Sequence, residues 1–243
     1  MILLNGFEGI ILKKINYKES SKILYVYTSE GLLSLLVHGA NKLSSPFLHT
    51  TDNLNLIKGF YSGKGLKTLT EGEIINDYAS IKSDLYKVTY VSHIIELLAS
   101  FAESEYDHLK LYQFVIRLLD KISETTTYIR YIYMFEIKFL YMLGLAPNFK
   151  HCVTCNRVEH LKFSIISGGY CCEDHLPSGE KIYSEDSIKI LAKLFYHDLN
   201  QPLDLVINQE IGKEIRLILD EYYLYHLGFQ SKSRKILSGL LGY

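Results

Sequence analysis

Hydrophobic residues in the first third of the chain alternate in short runs that turn residues separate. This period of two predicts β-strands over residues 7–15, 21–28, 32–38, 53–60 and 66–73. Five short strands in one continuous segment are typical of a small closed barrel, and the five-stranded oligonucleotide-binding (OB) barrel is the common fold of this size.

From residue 82 onward the hydrophobic period becomes that of an α-helix. Apolar stripes within residues 91–102, 111–119 and 132–143 predict three helices, and the third should be central because it is apolar on more than one face. Two more helices are predicted over 185–196 and 209–227, the last one ended by Gly228. We therefore predict a multidomain α and β protein with an N-terminal five-stranded OB-type barrel over residues 1–80. An α-helical domain over residues 81–243 follows, with a zinc-binding insert over residues 151–177.

Two pairs of metal-ligating residues lie between the predicted central helix and the helix at 185. Cys152 and Cys155 form one C-x-x-C pair, and Cys172 and His175 repeat the same gap. Two ligands two residues apart can bend round one ion, so two such pairs complete the tetrahedron of a structural Zn²⁺ site. Cys171 in place of Cys172, or Cys171 together with Asp174, is an alternative register. Four protein ligands leave no open position for water, which disfavours the competing hypothesis of a zinc-dependent enzyme.

Composition narrows the class of protein further. The chain has 243 residues, of which 48% are hydrophobic and 22% charged, so it can bury a core and is not a disordered chain. No run is apolar enough to cross a bilayer, and no export signal is expected within residues 1–15. Four cysteines in such a chain indicate metal rather than disulfides, and the expected compartment is the cytoplasm, without a membrane partner.

Charge is concentrated locally although the formal net charge is only −1. Residues 9–70 carry eight lysines against three carboxylates, so the predicted barrel has a local charge of +5 that favours phosphate backbones. The lysines in or near turns are the candidate DNA contacts, namely Lys13, Lys14, Lys42, Lys64 and Lys67. Candidate stacking platforms are Tyr25, Tyr27, Phe60 and Tyr61. Because the strand at 21–28 looks buried on both faces, Tyr25 is expected to be a core residue.

Motifs of catalysis are missing from the sequence. The segment GFYSGKG at 59–65 has the wrong glycine spacing and no Ser or Thr after Lys64, so it predicts a hairpin turn rather than a phosphate loop. The chain contains no H-E-x-x-H or G-x-S-x-G motif. We therefore expect a protein that is not an enzyme.

The order and spacing of several segments resemble the bacterial RecO family of recombinational repair proteins over nearly the whole chain. The matching segments are GIILKKINYKESSKIL from Gly9, Gly39-Ala40, LKTLTEGEI from Leu66, FEIKFLYMLGLAPN from Phe135, Phe163-Ser164 with Gly169 and Cys172, Tyr225 to Gly228, and Lys232 to Lys235.

This resemblance implies binding of single- and double-stranded DNA and annealing of complementary strands. It also implies that the protein associates with the nucleoid when it acts on DNA. It also implies association with RecR and remodelling of single-strand-binding protein, so that RecA can load. Two positions depart from the family pattern. The loop at 41–46 has one lysine where relatives have a basic loop, and His175 stands where zinc-binding relatives usually have Cys. The poor loop favours a second hypothesis, a protein-interaction adaptor with little DNA binding of its own.

Overall fold

The computed structural model describes residues 4–241, which form two compact units. One unit takes in the chain up to Glu124 together with the segment from Ser233, and the other is Thr125–Lys232. The compact units divide the chain after Glu124, so the helices up to that residue belong with the barrel. The domain boundary between residues 80 and 81 stays a prediction. The ends of the predicted domains, residues 1–3 and 242–243, lie outside the described residues.

The first unit is built on a closed five-stranded barrel. Its strands are β1 (Asn5–Tyr17), β2 (Ser21–Thr28), β3 (Gly31–Val37), β4 (Leu56–Ser62) and β5 (Thr68–Asn76). They join in the order β1-β2-β3-β5-β4, with β3 and β5 parallel and the other pairs antiparallel. This topology confirms the predicted OB-type barrel. Its interior is filled by Ile11, Leu24, Val26, Leu33, Leu35, Val37, Ala40, Ile57 and Leu69.

Two strands begin later than the alternation predicts. β4 begins at Leu56 because Leu54, with φ 69°, and Asn55 still belong to the preceding loop. The Asn55 side chain donates to the carbonyls of His49 and Thr50 and so closes that loop. β5 begins at Thr68 because Gly63, with φ 105°, opens a turn that runs to Lys67.

Within the described residues, three helices accompany the barrel in the same unit: α1 (Ala79–Lys82), α2 (Leu85–Ser100) and α3 (His108–Glu124). A fourth, α7 (Lys232–Leu241), belongs to this unit from Ser233 onward. α3 packs on the barrel through tyrosine contacts. Tyr112 donates to Glu8 of β1 at 2.8 Å, and Tyr27 of β2 lies 3.1 Å from Nδ1 of His108. The sequence predicts the helix at 209–227 as the last one. That expectation was wrong, because α7 follows it.

The second unit surrounds a central helix, α4 (Ile129–Met142), as its apolar pattern predicts. Phe135 and Phe139 of α4 are fully buried and stacked at 5.2 Å. α5 (Glu185–Tyr196) and α6 (Gln209–Leu227) have the predicted bounds. Ser184 and Asn208 cap their first turns, and Gly228, with φ 62°, ends α6 in the left-handed conformation. A two-stranded hairpin, β6 (Leu161–Ser164) and β7 (Gly169–Cys172), lies between α4 and α5.

Candidate metal centre and nucleic-acid interface

The first ligand pair sits on a tight backbone turn that precedes β6. The amide of Asn156 donates to the carbonyl of Cys152 at 3.1 Å, and the amide of Cys152 donates to the carbonyl of Arg157 at 2.8 Å. Asn156 adopts the left-handed conformation, with φ 62°, which is tolerated by Asn better than by most side chains. The turn thereby directs the sulfurs of Cys152 and Cys155 to one point.

The second pair follows from the β6–β7 hairpin. Cys172 ends β7, and the chain then makes one 3₁₀ turn over Glu173–His175 that returns the imidazole of His175 to the sulfur of Cys172. Their separation, Sγ to Nδ1, is 3.2 Å.

The four ligand atoms converge on one position. All lie within 4.8 Å of one another, with Sγ of Cys155 3.7 Å from Sγ of Cys172 and Sγ of Cys152 3.8 Å from Nδ1 of His175. With Zn–S bonds of about 2.3 Å, the sulfurs of a tetrahedral site are about 3.8 Å apart. This Cys₃His set therefore has the donors and spacing to hold one tetrahedral metal ion.

The register that the sequence left open is decided by the geometry of β7. Adjacent residues of a strand point to opposite faces, so Cys171 and Cys172 cannot serve the same site. Cys171 is buried outside the cluster, and burial raises the pKa of its thiol. Asp174 instead pairs with Arg157, Oδ2 to Nη1, at 3.0 Å. The structure thus brings together Cys172 with His175 and not Cys171 with Asp174.

The surroundings of the cluster favour the thiolate form of one cysteine, Cys152. Although burial opposes ionisation, hydrogen bonds from the amides of Cys172, Cys155 and Thr154 lower the pKa of Cys152 to about 6. Burial raises the pKa of Cys172, and its contact with Cys155 adds to that rise. Arg157 adds positive charge beside the sulfurs, and its own pKa is raised, first by Cys172 and then by Asp174. A bound cation would favour the deprotonated thiols further.

An aromatic cluster attaches the hairpin to the rest of the second unit. Phe149 stacks on Phe163 of β6 at 5.7 Å and tilts against Phe195 of α5 at 5.8 Å. Gly169 permits the backbone of β7 to approach Asn148, since a Cβ there would lie 2.6 Å from the nitrogen and oxygen of Asn148. Both pairs of metal-ligating residues are therefore held by packing and backbone contacts as well as by any metal.

The outer face of β1–β2–β3 combines an aromatic ring with a cation. Leu24 and Val26 fill the barrel, so Tyr25 between them points outward, where it is half-buried. Its direct partners in the ladder are Lys13 on β1, which is exposed, and Ser34 on β3. Because Tyr25 is half-buried on the outer face, the expectation that it is a core residue was wrong. OB barrels bind nucleic acid on the β2–β3 face, which is the face that Tyr25 occupies.

The turns that border this face carry further lysines. The pairs Tyr17–Ser21, Lys22–Val37 and Leu36–Thr68 place the end of β1, the end of β3 and the start of β5 at the same rim of the barrel. Lys18 occupies the β1–β2 turn with φ 53°, and Lys42 adjoins it because the amide of Asn41 donates to Ser20. Lys18 is not among the predicted DNA contacts. Its place in the turn between the first two predicted strands is the sequence signal that would have added it.

The predicted lysine contacts fall into three environments. Lys13, Lys42 and Lys64 are exposed, and within residues 4–241 none of the three has an ion pair. Lys67 is half-buried, with its ammonium 5.1 Å from the ring centre of Tyr61. Lys14 contacts Asp52, Nζ to Oδ1, at 2.5 Å, so its charge is already balanced.

The other predicted platforms differ in accessibility. Tyr27 is fully buried beneath His108 and Tyr106, which leaves no face of its ring for a base. Tyr61 is half-buried against Phe7, whereas Phe60 is 45% exposed on the β4–β5 side of the barrel.

The fold and the two candidate sites define the class of protein. It combines an OB-type barrel that has a lysine–tyrosine outer face with a helical unit that holds a Cys₃His cluster. Comparison with known families gives the same result. A family model described as "Recombination protein O N terminal" matches residues 1–78, and one described as "Recombination protein O C terminal" matches residues 82–235. The chain belongs to the RecO family of DNA repair proteins.

Curated relatives support this membership over nearly the full chain. A protein named DNA repair protein RecO from Listeria innocua is 31% identical, covering 95% of this chain and 92% of its own length. Relatives of the same name from Halalkalibacterium halodurans and Bacillus pumilus are each 29% identical, covering 96% and 95% of this chain and 94% and 92% of their own lengths. Within the described residues, no helix combines the length and the hydropathy that a bilayer crossing requires.

Proposed function

We propose that this protein is a non-catalytic DNA-binding and strand-annealing mediator of recombinational repair in the cytoplasm. It would act on single- and double-stranded DNA, together with RecR and single-strand-binding protein, to help load RecA. The observation that supports this proposal most is the outer face of β1–β2–β3, where Tyr25 lies between Lys13 and Ser34. A ring for base stacking beside a free ammonium is the combination by which OB barrels bind single strands.

Annealing at such a surface needs no covalent chemistry. Lysines of the face and its bordering turns would neutralise phosphates of two strands and lower their mutual repulsion, with release of condensed counterions. Lysine supplies point charges rather than bidentate contacts to bases, so the binding would be largely independent of sequence.

We propose further that the Cys₃His cluster is a structural Zn²⁺ site. Cys152, Cys155, Cys172 and His175 would hold the ion, which would link the first ligand turn to the β6–β7 hairpin. With all four positions filled by protein, the ion would stabilise the fold and would not activate water.

The DNA proposal is tested by the salt dependence of binding to labelled single-stranded DNA. We expect affinity to fall linearly on a log–log plot against salt. Lys13→Gln should make the slope shallower by about 0.7, the contribution of one phosphate contact on a single strand. Lys58→Gln is the matched control, because Lys58 lies on the same barrel but already pairs with Glu73 at 2.6 Å.

A second candidate function is a protein-interaction adaptor of the same pathway with little DNA binding of its own. The balanced charges of Lys14 with Asp52 and Lys58 with Glu73 favour it, since both pairs subtract from the basic excess of the barrel. Absence of DNA binding even at low salt would support the adaptor and contradict the mediator with its own DNA contact.

A further inference from the structure

One edge of β5 has no strand beside it. β5 pairs with β4 from Thr68 to Asn76, whereas its pairing with β3 is limited to Leu36 and Thr68. In the part of the chain that the structure describes, no backbone hydrogen bond reaches the other edge of β5 between residues 70 and 76. Unpaired amides and carbonyls along an exposed edge form a template for another strand.

A side chain on the core-facing side of this strand is uncovered at the same edge. Ile74 pairs directly with Ile57, which is fully buried in the barrel, yet Ile74 itself is 41% exposed. The next residue, Ile75, is 44% exposed. An added strand would cover Ile74 and would thereby bury apolar surface as well as pair backbone groups.

The sequence of β5 has few of the features that protect edges. Natural edge strands commonly carry charged side chains, especially Lys, or Pro. β5 has no Lys or Pro, and its protection consists of Glu71, Glu73 and two register shifts in its ladder with β4. An edge with exposed isoleucines and little protection is expected to have an occupant.

Charge on the outer face of β5 selects the kind of occupant. Glu8, Lys58 and Glu73 form one row across β1, β4 and β5, and Glu71 lies in the next row beside Phe60. Lys58 already pairs with Glu73 at 2.6 Å, so three carboxylates against one lysine leave a net charge of −2, which disfavours nucleic acid at this edge. Self-pairing through β5 is also disfavoured, because it would bring the glutamates of two copies together.

We propose that the free edge of β5, residues 70–76, is a docking edge for an extended, basic segment of a partner protein. The segment would add a sixth strand by backbone hydrogen bonds, cover Ile74 with an apolar side chain, and pair Lys or Arg with Glu71 and Glu73. The barrel would then bind DNA on its basic β1–β2–β3 face and a protein on this acidic edge.

The test uses the full chain and three labelled peptides of equal length. The first alternates Val and Lys, the second has the same charge but Pro in place of the central Val residues, and the third alternates Val and Glu. The chain should bind the first peptide and not the other two. In E71K/E73K, affinity for the Val–Lys peptide should fall about tenfold, as two exposed attractions become repulsions, and the Val–Glu peptide should now bind.

Two further measurements separate a strand at the edge from simple charge attraction. Amide hydrogen exchange within residues 70–76 should slow when the Val–Lys peptide is bound. E71Q/E73Q should bind the Val–Lys peptide more weakly without gaining affinity for the Val–Glu peptide, and its unchanged melting temperature would show that the fold is intact. Equal binding of the proline peptide, no protection of residues 70–76, or dimerisation of the chain alone through this edge would overturn the proposal.

Discussion

At the scale of the residue, the metal assignment depends on Cys155 more visibly than on the other ligands, because its side chain is exposed and packing contributes little there. Cys155→Ser should lower both zinc content and melting temperature, since Ser cannot replace the thiolate of a structural site. Metal analysis of the purified variant and a thermal melt measure the two effects.

Cys171→Ser is the matched control for that variant. Cys171 is buried one residue from Cys172 but faces away from the cluster, so its replacement should cost some stability and leave the zinc content unchanged. Full zinc occupancy and an unchanged melt in Cys155→Ser would contradict the assignment of Cys155.

The same residues indicate how far the sequence could predict the site. Cys152 with Cys155, and Cys172 with His175, are each three positions apart, so spacing alone pointed to the four side chains that the structure brings together. The choice between Cys171 and Cys172 required the face of β7, which depends on a hairpin that the sequence did not reveal. Tyr25 was misplaced for a related reason, since alternation separates two faces of a strand but does not determine which face is covered.

At the scale of the element, the β6–β7 hairpin depends on close approach of its backbone to Asn148. Gly169 has φ 152°, and a Cβ would lie 2.6 Å from backbone atoms of Asn148. Gly169→Ala should therefore displace the hairpin and lower the free energy of unfolding by roughly 2 kcal/mol or more, as strained backbone substitutions do. It should also weaken zinc binding, because Cys172 ends the same strand.

Denaturant unfolding and zinc competition with a chelator measure the two effects of Gly169→Ala. Gly65→Ala is the control, because no atom lies within 4 Å of a Cβ there and its φ needs no glycine. If Gly169→Ala matched Gly65→Ala in both measurements, the approach of β7 to Asn148 would not determine the position of the hairpin.

Predictability also varied among the elements. The approximate bounds predicted for α5 and α6 agree with the structure, and Gly228 ends α6 as predicted, because a left-handed glycine is a local signal that needs no tertiary context. The structure adds Ser184 and Asn208 as the residues that cap the two first turns. The start of β4 was not predicted, because Leu54 and Leu56 alternate with polar neighbours as in a strand. Leu54 and Asn55 are instead held in the preceding loop by long-range hydrogen bonds to the backbone of Ile11. α7 begins only a few residues after α6 ends, and the sequence pattern was not recognised there as a separate helix.

At the scale of the whole molecule, buried tyrosines link stability to alkaline pH. The pKa values of Tyr27, Tyr78 and Tyr222 are all raised, chiefly by burial, and for Tyr78 also by the Asp120 carboxylate. A phenol whose pKa is higher in the folded state contributes stability that is complete below its unfolded pKa of about 10 and is lost as pH rises above that value.

Buried lysines act in the opposite direction and over a nearby range of pH. Burial lowers the pKa of Lys22 and of Lys82, so folding disfavours their charge, and their contribution becomes more favourable as pH rises through the lowered pKa. The lysine contribution is complete once pH exceeds their unfolded pKa of about 10.4. Above that pH the tyrosine contribution is still being lost, and the free energy of unfolding should decrease steadily.

The chain allows a direct measurement of this loss, because it contains 20 Tyr and no Trp, so tyrosinate absorbance is free of indole. In the native protein Tyr27, Tyr78 and Tyr222 should titrate only well above pH 10, together with loss of the circular dichroism signal. In denaturant all tyrosines should titrate in one step near pH 10. A single step near pH 10 in the native protein, with intact secondary structure, would contradict the raised pKa values, since it would mean that hydroxide reaches Tyr27, Tyr78 and Tyr222 without unfolding.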